Sequence, residues 1–128
     1  MKKMGENICE IETTDIKYIF SSRASDSNKG NFGYVGIIGG SLEYSGAVKL
    51  ADLSASSLRA GCGVVRLIVP KGIAKAVAPY VLEQTIFPMQ DINDKMVFNQ
   101  EQINQALNKI KALGVGMGWG QSNEHAKI

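Results

Sequence analysis

The sequence contains few of the residues that form disulfides, metal sites or catalytic triads. It contains two cysteines, one histidine and three prolines in 128 residues. Cys9 and Cys62 have no CxxC or metal-binding spacing, so we expect reduced thiols of an intracellular protein. His125 is expected to be a surface residue. Because no Ser-His-Asp arrangement, carboxylate pair or metal cluster can be assigned, these types of catalytic site are not indicated.

Strong charge and long apolar runs are also lacking. The formal charge of +2 arises from 14 basic and 12 acidic residues without a basic stripe, which argues against nucleic acid as a partner. No segment approaches the ~20 apolar residues that cross a bilayer. The opening segment MKKMGENICEIE has two lysines but no apolar run behind them, unlike a signal peptide. We therefore expect a cytoplasmic protein that binds neither nucleic acid nor membrane.

The apolar pattern predicts an α/β domain. Residues 34–38 (YVGII) and 64–69 (VVRLIV) are short β-branched runs that are typical of buried strands. Between them, the pattern predicts a helix over residues 45–60, with Ser45 as N-cap and Gly61 closing its end. Strand, helix and strand in this order predict a parallel βαβ unit.

The pattern also predicts the faces of this helix and the elements that follow it. The helix over 45–60 is predicted to bury one apolar face and to leave its charged residues in solvent. The expected buried residues are Ala47, Leu50, Ala51, Ala55 and Leu58, and the expected solvated ones are Asp52 and Arg59. Beyond it, the pattern predicts helices over 73–78 and 101–110, a loop over 91–99 and a strand at 113–115.

Two glycine-rich loops each follow a predicted strand, GGSLEYSG at 39–46 and GVGMGWGQS at 114–122. Loops at the carboxyl ends of parallel strands are where α/β proteins bind ligands, and glycine lets a phosphate or ribose approach the backbone. Neither loop has the P-loop or GxGxxG spacing, and the glycines could also serve only as tight turns. The residues alone thus favour a nucleotide-like ligand without identifying it.

The order of motifs in residues 23–70 is more specific. RASDSNKGNFG is followed by a strand, GGS, YSGA, a helix of small residues, RAGCGVV and a second strand. This series resembles the opening of the ADP/ATP-dependent NAD(P)H-hydrate dehydratase family of ribokinase-like proteins, and the similarity extends to about residue 124. The resemblance implies a parallel or mixed sheet with flanking helices, a partial ribokinase-like fold. Residues 1–22 would be an N-terminal segment and 23–128 the first half of the dehydratase domain.

The activity of this family implies further expectations for the chain. Its members restore NADH or NADPH from the (6S) hydrate, consuming ADP or ATP to phosphorylate the hydroxyl that leaves, and Mg²⁺ is expected with the nucleotide. By correspondence with the family, the substrate-binding positions are Ala47 and Gly116. The supporting loop positions are Gly40, Ser41 and Gly118.

The sequence also departs from the family pattern. Asn28 replaces a histidine and Val115 a proline, and the G-T-G-D motif with the catalytic aspartate is absent. The resemblance therefore implies an amino-terminal half that is inactive alone and forms a homo-oligomer or associates with its missing C-terminal half. Two alternatives remain open at this point. They are a kinase for a small alcohol such as hydroxymethylpyrimidine or a sugar, and a truncated, non-catalytic binding module.

Overall fold

The structure, a computed structural model, describes residues 2–3, 8–19, 24–55, 61–121, 123 and 128. The strands in these ranges are β1 (Lys2–Lys3), β2 (Cys9–Glu10), β3 (Tyr34–Gly39), β4 (Val64–Pro70), β5 (Thr85–Met89), β6 (Asp91–Ile92), β7 (Lys95–Met96) and β8 (Ile110–Met117). The α-helices are α1 (Thr13–Ile19), α2 (Ser45–Ala55), α3 (Lys71–Val77) and α4 (Gln100–Leu107). Short 3-10 helices cover Lys29–Phe32 and Ala78–Tyr80.

The main sheet has four parallel strands in the order β5-β4-β3-β8. The strands predicted at 34–38, 64–69 and 113–115 are confirmed, and so is their parallel pairing in one sheet. Since the strands are parallel, their carboxyl ends lie at one edge, and β3 and β8 end there as direct neighbours. This arrangement brings the two glycine-rich loops together.

Both faces of the sheet are covered by apolar side chains, as expected for a parallel sheet. On one face, Ile37 of β3 belongs to a buried cluster that includes Val48 of α2 and Ile73 of α3. On the other face, Ile38 packs in a cluster with Met96 of β7 and Ile103 of α4. Adjacent residues of β3 thus pack into the two cores on opposite faces of the sheet, because side chains alternate along a strand.

The predicted buried face of α2 is wrong in part: Ala51 and Ala55 pack toward the core as predicted, but Leu50 and Asp52 do not lie where the sequence placed them. The helix begins at Ser45 as predicted, but Leu50 is 67% exposed, whereas Val48 and Asp52 are 0% and 1% exposed. The sheet therefore packs against the row that contains Val48 and Asp52, with Ala51 and Ala55 beside it. A row that contains a carboxylate does not stand out as apolar in the sequence. The predicted helix residues 56–60, including Leu58 and Arg59, lie outside the described part of the chain.

The loop predicted over 91–99 is also wrong in part, because β6 and β7 form an antiparallel hairpin there. Its two turn residues, Asn93 and Asp94, have φ values of 51° and 58°. Two positive φ values match the turn that joins short hairpins, and asparagine and aspartate tolerate this conformation better than most residues. A further difference is that α4 ends at Leu107, so Ile110 begins β8 instead of closing the helix.

Arg66 fixes α4 against the sheet. Its Nη1 donates hydrogen bonds to the carbonyl oxygens of Gln105, Ala106 and Asn108 at 3.3, 2.8 and 3.2 Å. The last carbonyls of a helix lack partners within the helix, and a cation there also interacts favourably with the helix dipole. The guanidinium lies 5.6 Å from the ring centre of Tyr34. One side chain of β4 therefore positions both α4 and the start of β3.

Candidate functional site

The two glycine-rich loops are joined by hydrogen bonds at the carboxyl edge of the sheet. The backbone N–H of Gly40 donates to the carbonyl oxygen of Met117 at 2.8 Å. The Ser41 hydroxyl donates to the carbonyl oxygen of Gly118 at 2.9 Å and accepts from the backbone N–H of Tyr44 at 3.3 Å. Ser41 is only 4% exposed. The loops thus form one bonded unit although they are far apart in the sequence.

Gly118 packs directly on the start of α2. Its φ is +65°, and a Cβ added there would collide with the carbonyl oxygen of Tyr44 and lie 2.9 Å from the Cβ of Ala47. Ala47 is half-buried and faces this second loop from the first turn of the helix. Since the contact is already close, a larger side chain at either position would push the second loop away from the helix.

Gly116 differs from the other sequence-predicted positions, because its backbone faces open space. Its φ is +100°, it is exposed, and an added Cβ would meet nothing within 4 Å. By contrast, Gly40 is buried, and a Cβ there would lie 2.7 Å from Ile73 and 3.0 Å from Val48. Gly40 therefore serves packing beneath the site, whereas Gly116 offers backbone that a ligand could approach.

A cavity of about 110 Å³ lies beside this junction. Its lining comes from the first glycine loop, the end of the second loop and the turn of the β6–β7 hairpin. The lining residues are Ser41, Leu42, Glu43, Asn93, Asp94, Lys95 and Gly120. The hairpin residues were not predicted as part of the site. The Asn93-Asp94 pair between short apolar runs is the sequence signal that could have identified the turn.

A larger cavity of about 530 Å³ lies where β4 and β5 end. It is lined by Lys71, Pro88, Gln90, Asp91 and Gln102. The Asp91 carboxylate accepts a hydrogen bond from the backbone N–H of Gly72 at 3.0 Å, and the Gln102 side chain accepts one from the backbone N–H of Gln90 at 2.8 Å. These bonds tie the base of the hairpin to α3 and α4.

Asp52, which the sequence analysis placed in solvent, is buried one turn after Val48 on the sheet-facing side of α2. Burial raises the pKa of its carboxyl group to about 6. Its position in the row that packs on the sheet indicates a role in the core rather than at the loops. Within the described ranges, no cluster of three or more histidine, cysteine or acidic residues could bind a metal ion, and no helix is long and apolar enough to cross a bilayer.

Comparison of the sequence with known proteins agrees with this geometry. A family model described as NAD(P)H-hydrate dehydratase matches residues 35–128, which include both glycine loops. The chain belongs to the NAD(P)H-hydrate dehydratase family. An ATP-dependent (S)-NAD(P)H-hydrate dehydratase from Aedes aegypti is 35% identical over 94 residues, covering 73% of this chain and 26% of the relative. An enzyme of the same name from Entamoeba histolytica is 34% identical over 106 residues, which cover 83% of this chain and 33% of the relative.

Solved structures show the same fold. A Streptococcus mutans protein superposes with a TM-score of 0.68 at 24% identity, covering 91% of this chain and 39% of that one. The ADP/ATP-dependent NAD(P)H-hydrate dehydratase from Bacillus subtilis, co-crystallized with ATP/Mg²⁺, gives 0.55 at 17% identity, covering 88% and 48%. An Enterococcus faecalis ribokinase-like superfamily protein gives 0.61 at 21% identity, covering 84% and 34%. The ribokinase-like α/β fold expected from the sequence is confirmed. The chain spans about a quarter to a third of the two curated relatives described above.

Proposed function

We propose that this chain supplies part of the substrate site of an enzyme that dehydrates the (6S) hydrate of NADH or NADPH with consumption of ADP or ATP. The observation that supports this most is the open backbone of Gly116 beside the bonded junction of Ser41 and Gly118. A dinucleotide would lie along this junction, at the carboxyl edge of the sheet, with Ala47 as its neighbour on α2.

The chemistry requires positioning more than covalent participation by the protein. Phosphorylation turns the hydroxyl of the hydrate into a good leaving group, and its departure restores the nicotinamide ring. The enzyme must hold the hydroxyl in line with the phosphoryl donor, and such orientation accounts for a large part of catalysis in reactions of this type. Loops held by Ser41 and by close glycine packing are suited to that task, because little of their freedom remains to be lost on binding.

The donor nucleotide and Mg²⁺ are proposals for the whole protein, supported by the names of its relatives. Among the described residues, no group of three or more histidine, cysteine or acidic side chains lies together. We therefore assign no step through the metal to this chain. We propose Ala47 and Gly116 as substrate contacts and Gly40, Ser41 and Gly118 as the frame that holds them. The alternative of a small-alcohol kinase is not favoured, because the matching family is that of the dehydratases.

Calorimetry with NADH and with its (6S) hydrate tests the site. Ala47→Leu should weaken binding by about 5- to 150-fold, because the larger side chain would occupy the space between α2 and the second loop, where steric overlap costs about 1–3 kcal/mol. Ser54→Leu is the matched control, since Ser54 is exposed on the same helix. Circular dichroism verifies that both variants fold. Equal affinity of the wild type and both folded variants would contradict the proposed site.

A further inference from the structure

The turn of the β6–β7 hairpin carries a lysine to the meeting point of the two glycine loops. Lys95 borders the cavity of about 110 Å³ that Ser41 and Gly120 also line. Its Nζ donates to the carbonyl oxygen of Gln121 at 3.3 Å, directly after Gly120 in the second loop. An ammonium group has three N–H donors, so further hydrogen bonds remain available to a ligand.

The backbone of Lys95 is held in place by its surroundings. The next residue, Met96, is completely buried in the core. Before the turn, Asp91 accepts the hydrogen bond from Gly72. A hairpin fixed at both strands presents its turn residues in a defined position, which reduces the freedom that binding would remove.

The charges around the cavity determine whether an anionic group can bind there, and Lys95 is the positive charge among them. Glu43, Asp94 and Lys95 are the charged residues of its lining. A carboxylate oxygen of Asp94 lies against Gly72, at the beginning of α3, where the N–H groups of a helix favour negative charge. Without Lys95, the lining would carry negative side chains alone and would repel an anion. Lys95 supplies the one ammonium of this lining, beside two carboxylates, and places it where the two loops meet.

The size of the cavity indicates what kind of group could occupy it. A volume of about 110 Å³ equals that of roughly four water molecules at about 30 Å³ each. Pockets that enclose whole ligands are larger, about 300–1,000 Å³. The cavity therefore fits one polar group of a ligand that extends beyond it, such as a phosphate.

We propose that Lys95 binds a phosphate of the dinucleotide, an inference that rests on the proposed function. The phosphate could be that of the diphosphate bridge or the 2′-phosphate of NADPH, and both present the same oxygen acceptors to an ammonium. Lys95 is thus a substrate-binding residue on an element that joins neither glycine loop in sequence.

The experiment compares the affinity of the full chain for NADH, NADPH and reduced nicotinamide riboside, which has no phosphate. Lys95→Met should weaken the binding of NADPH by about tenfold or more, the usual effect of losing a hydrogen bond to a charged group, and leave the binding of the riboside unchanged. The binding of NADH should weaken equally if Lys95 contacts the diphosphate bridge. Lys75→Met, on the exposed side of α3, is the control. Equal losses for NADH and NADPH assign the diphosphate bridge, and a loss confined to NADPH assigns the 2′-phosphate.

Other outcomes would overturn the proposal. An equal loss for the riboside would show that Lys95 only supports the loop at Gln121, and unchanged affinity for all three probes would show that it makes no contact. Lys95→Arg should retain most of the affinity for the phosphate-bearing probes, because the charge remains. If the wild-type chain binds none of the probes, the proposed function fails together with this inference. Binding by the wild type with no effect of Lys95→Met overturns the inference alone.

Discussion

The hydroxyl of Ser41 and the carbonyl oxygen of Gly118 are 2.9 Å apart, although 77 positions separate the two residues in the chain. The bond crosses from the end of β3 to the end of β8, neighbouring strands of the sheet. Ser41 also accepts from the backbone N–H of Tyr44, so one buried hydroxyl organises the turn before α2 and the second loop at once. The shape of the candidate site depends on this side chain.

Ser41→Ala should lower the free energy of unfolding by about 1–2 kcal/mol, because the carbonyl of Gly118 and the N–H of Tyr44 lose their buried partner. Dinucleotide affinity should fall as well, since the two loops would no longer be tied. Urea denaturation and calorimetry measure the two effects. Ser54→Ala is the control, because that hydroxyl donates to the carbonyl oxygen of Leu50 on the exposed side of α2 and should change stability little. Identical stabilities of the two variants would disprove the role given to Ser41.

Gly116, near the end of β8, and Gly118, directly after that strand, offer a matched pair of substitutions. Gly116→Ala places its methyl group in open space, so it should cost only the strain of a positive φ, about 1–2 kcal/mol. Gly118→Ala adds a collision with Tyr44 and Ala47 to the same strain and should destabilise the protein clearly more. Urea denaturation compares them. If Gly116→Ala were the more destabilising variant, the second loop would have to pack differently.

The sequence revealed the β-branched strands and the glycine loops, because both depend on local patterns. It did not reveal the sheet-facing row of α2, since small residues such as Ala47 and Ala51 lie around much of that helix and the buried row includes Asp52. The hairpin of β6 and β7 was missed because its strands are only two residues long. Its place beside the glycine loops depends on contacts with Gly72 and Gln121, which are distant in the chain and leave no local pattern.

Asp52 should make stability depend on pH. Burial raises the pKa of its carboxyl group from 3.8 to about 6 in the folded protein. The folded state therefore binds more protons than the unfolded state between these two values, and the contribution of Asp52 to stability falls as the pH rises through this window. Asp52→Asn resembles the neutral acid and cannot ionise, so this fall should be absent in the variant.

The measurement is the difference in unfolding free energy between Asp52→Asn and the wild type, determined at several pH values. This difference should shift in favour of the variant as the pH rises from about 4 to about 7, and it should be constant above that. Other titrating groups contribute equally to both proteins and cancel in the comparison. A difference that does not change with pH would mean that the carboxyl of Asp52 titrates alike in the folded and unfolded states.

The outer edge of β8 should promote association of the chain. Within the described ranges, β8 pairs only with β3, so its other edge presents free backbone groups. Leu113 and Val115 of this strand are 43% and 51% exposed. They lie on one side of the strand, because they are two positions apart. An exposed strand edge next to apolar side chains is a template for pairing with another chain.

Val115→Lys should therefore reduce self-association, because a lysine on an edge strand opposes edge-to-edge pairing. Sedimentation velocity over a range of protein concentrations measures the change. The variant should fold normally, since about half of this side chain is already in solvent. Leu50→Lys removes a comparably exposed apolar side chain, 67% exposed on α2, and should leave association unaltered. A wild-type chain that is monomeric at every concentration, or an equal effect of Leu50→Lys, would show that the edge of β8 does not drive association.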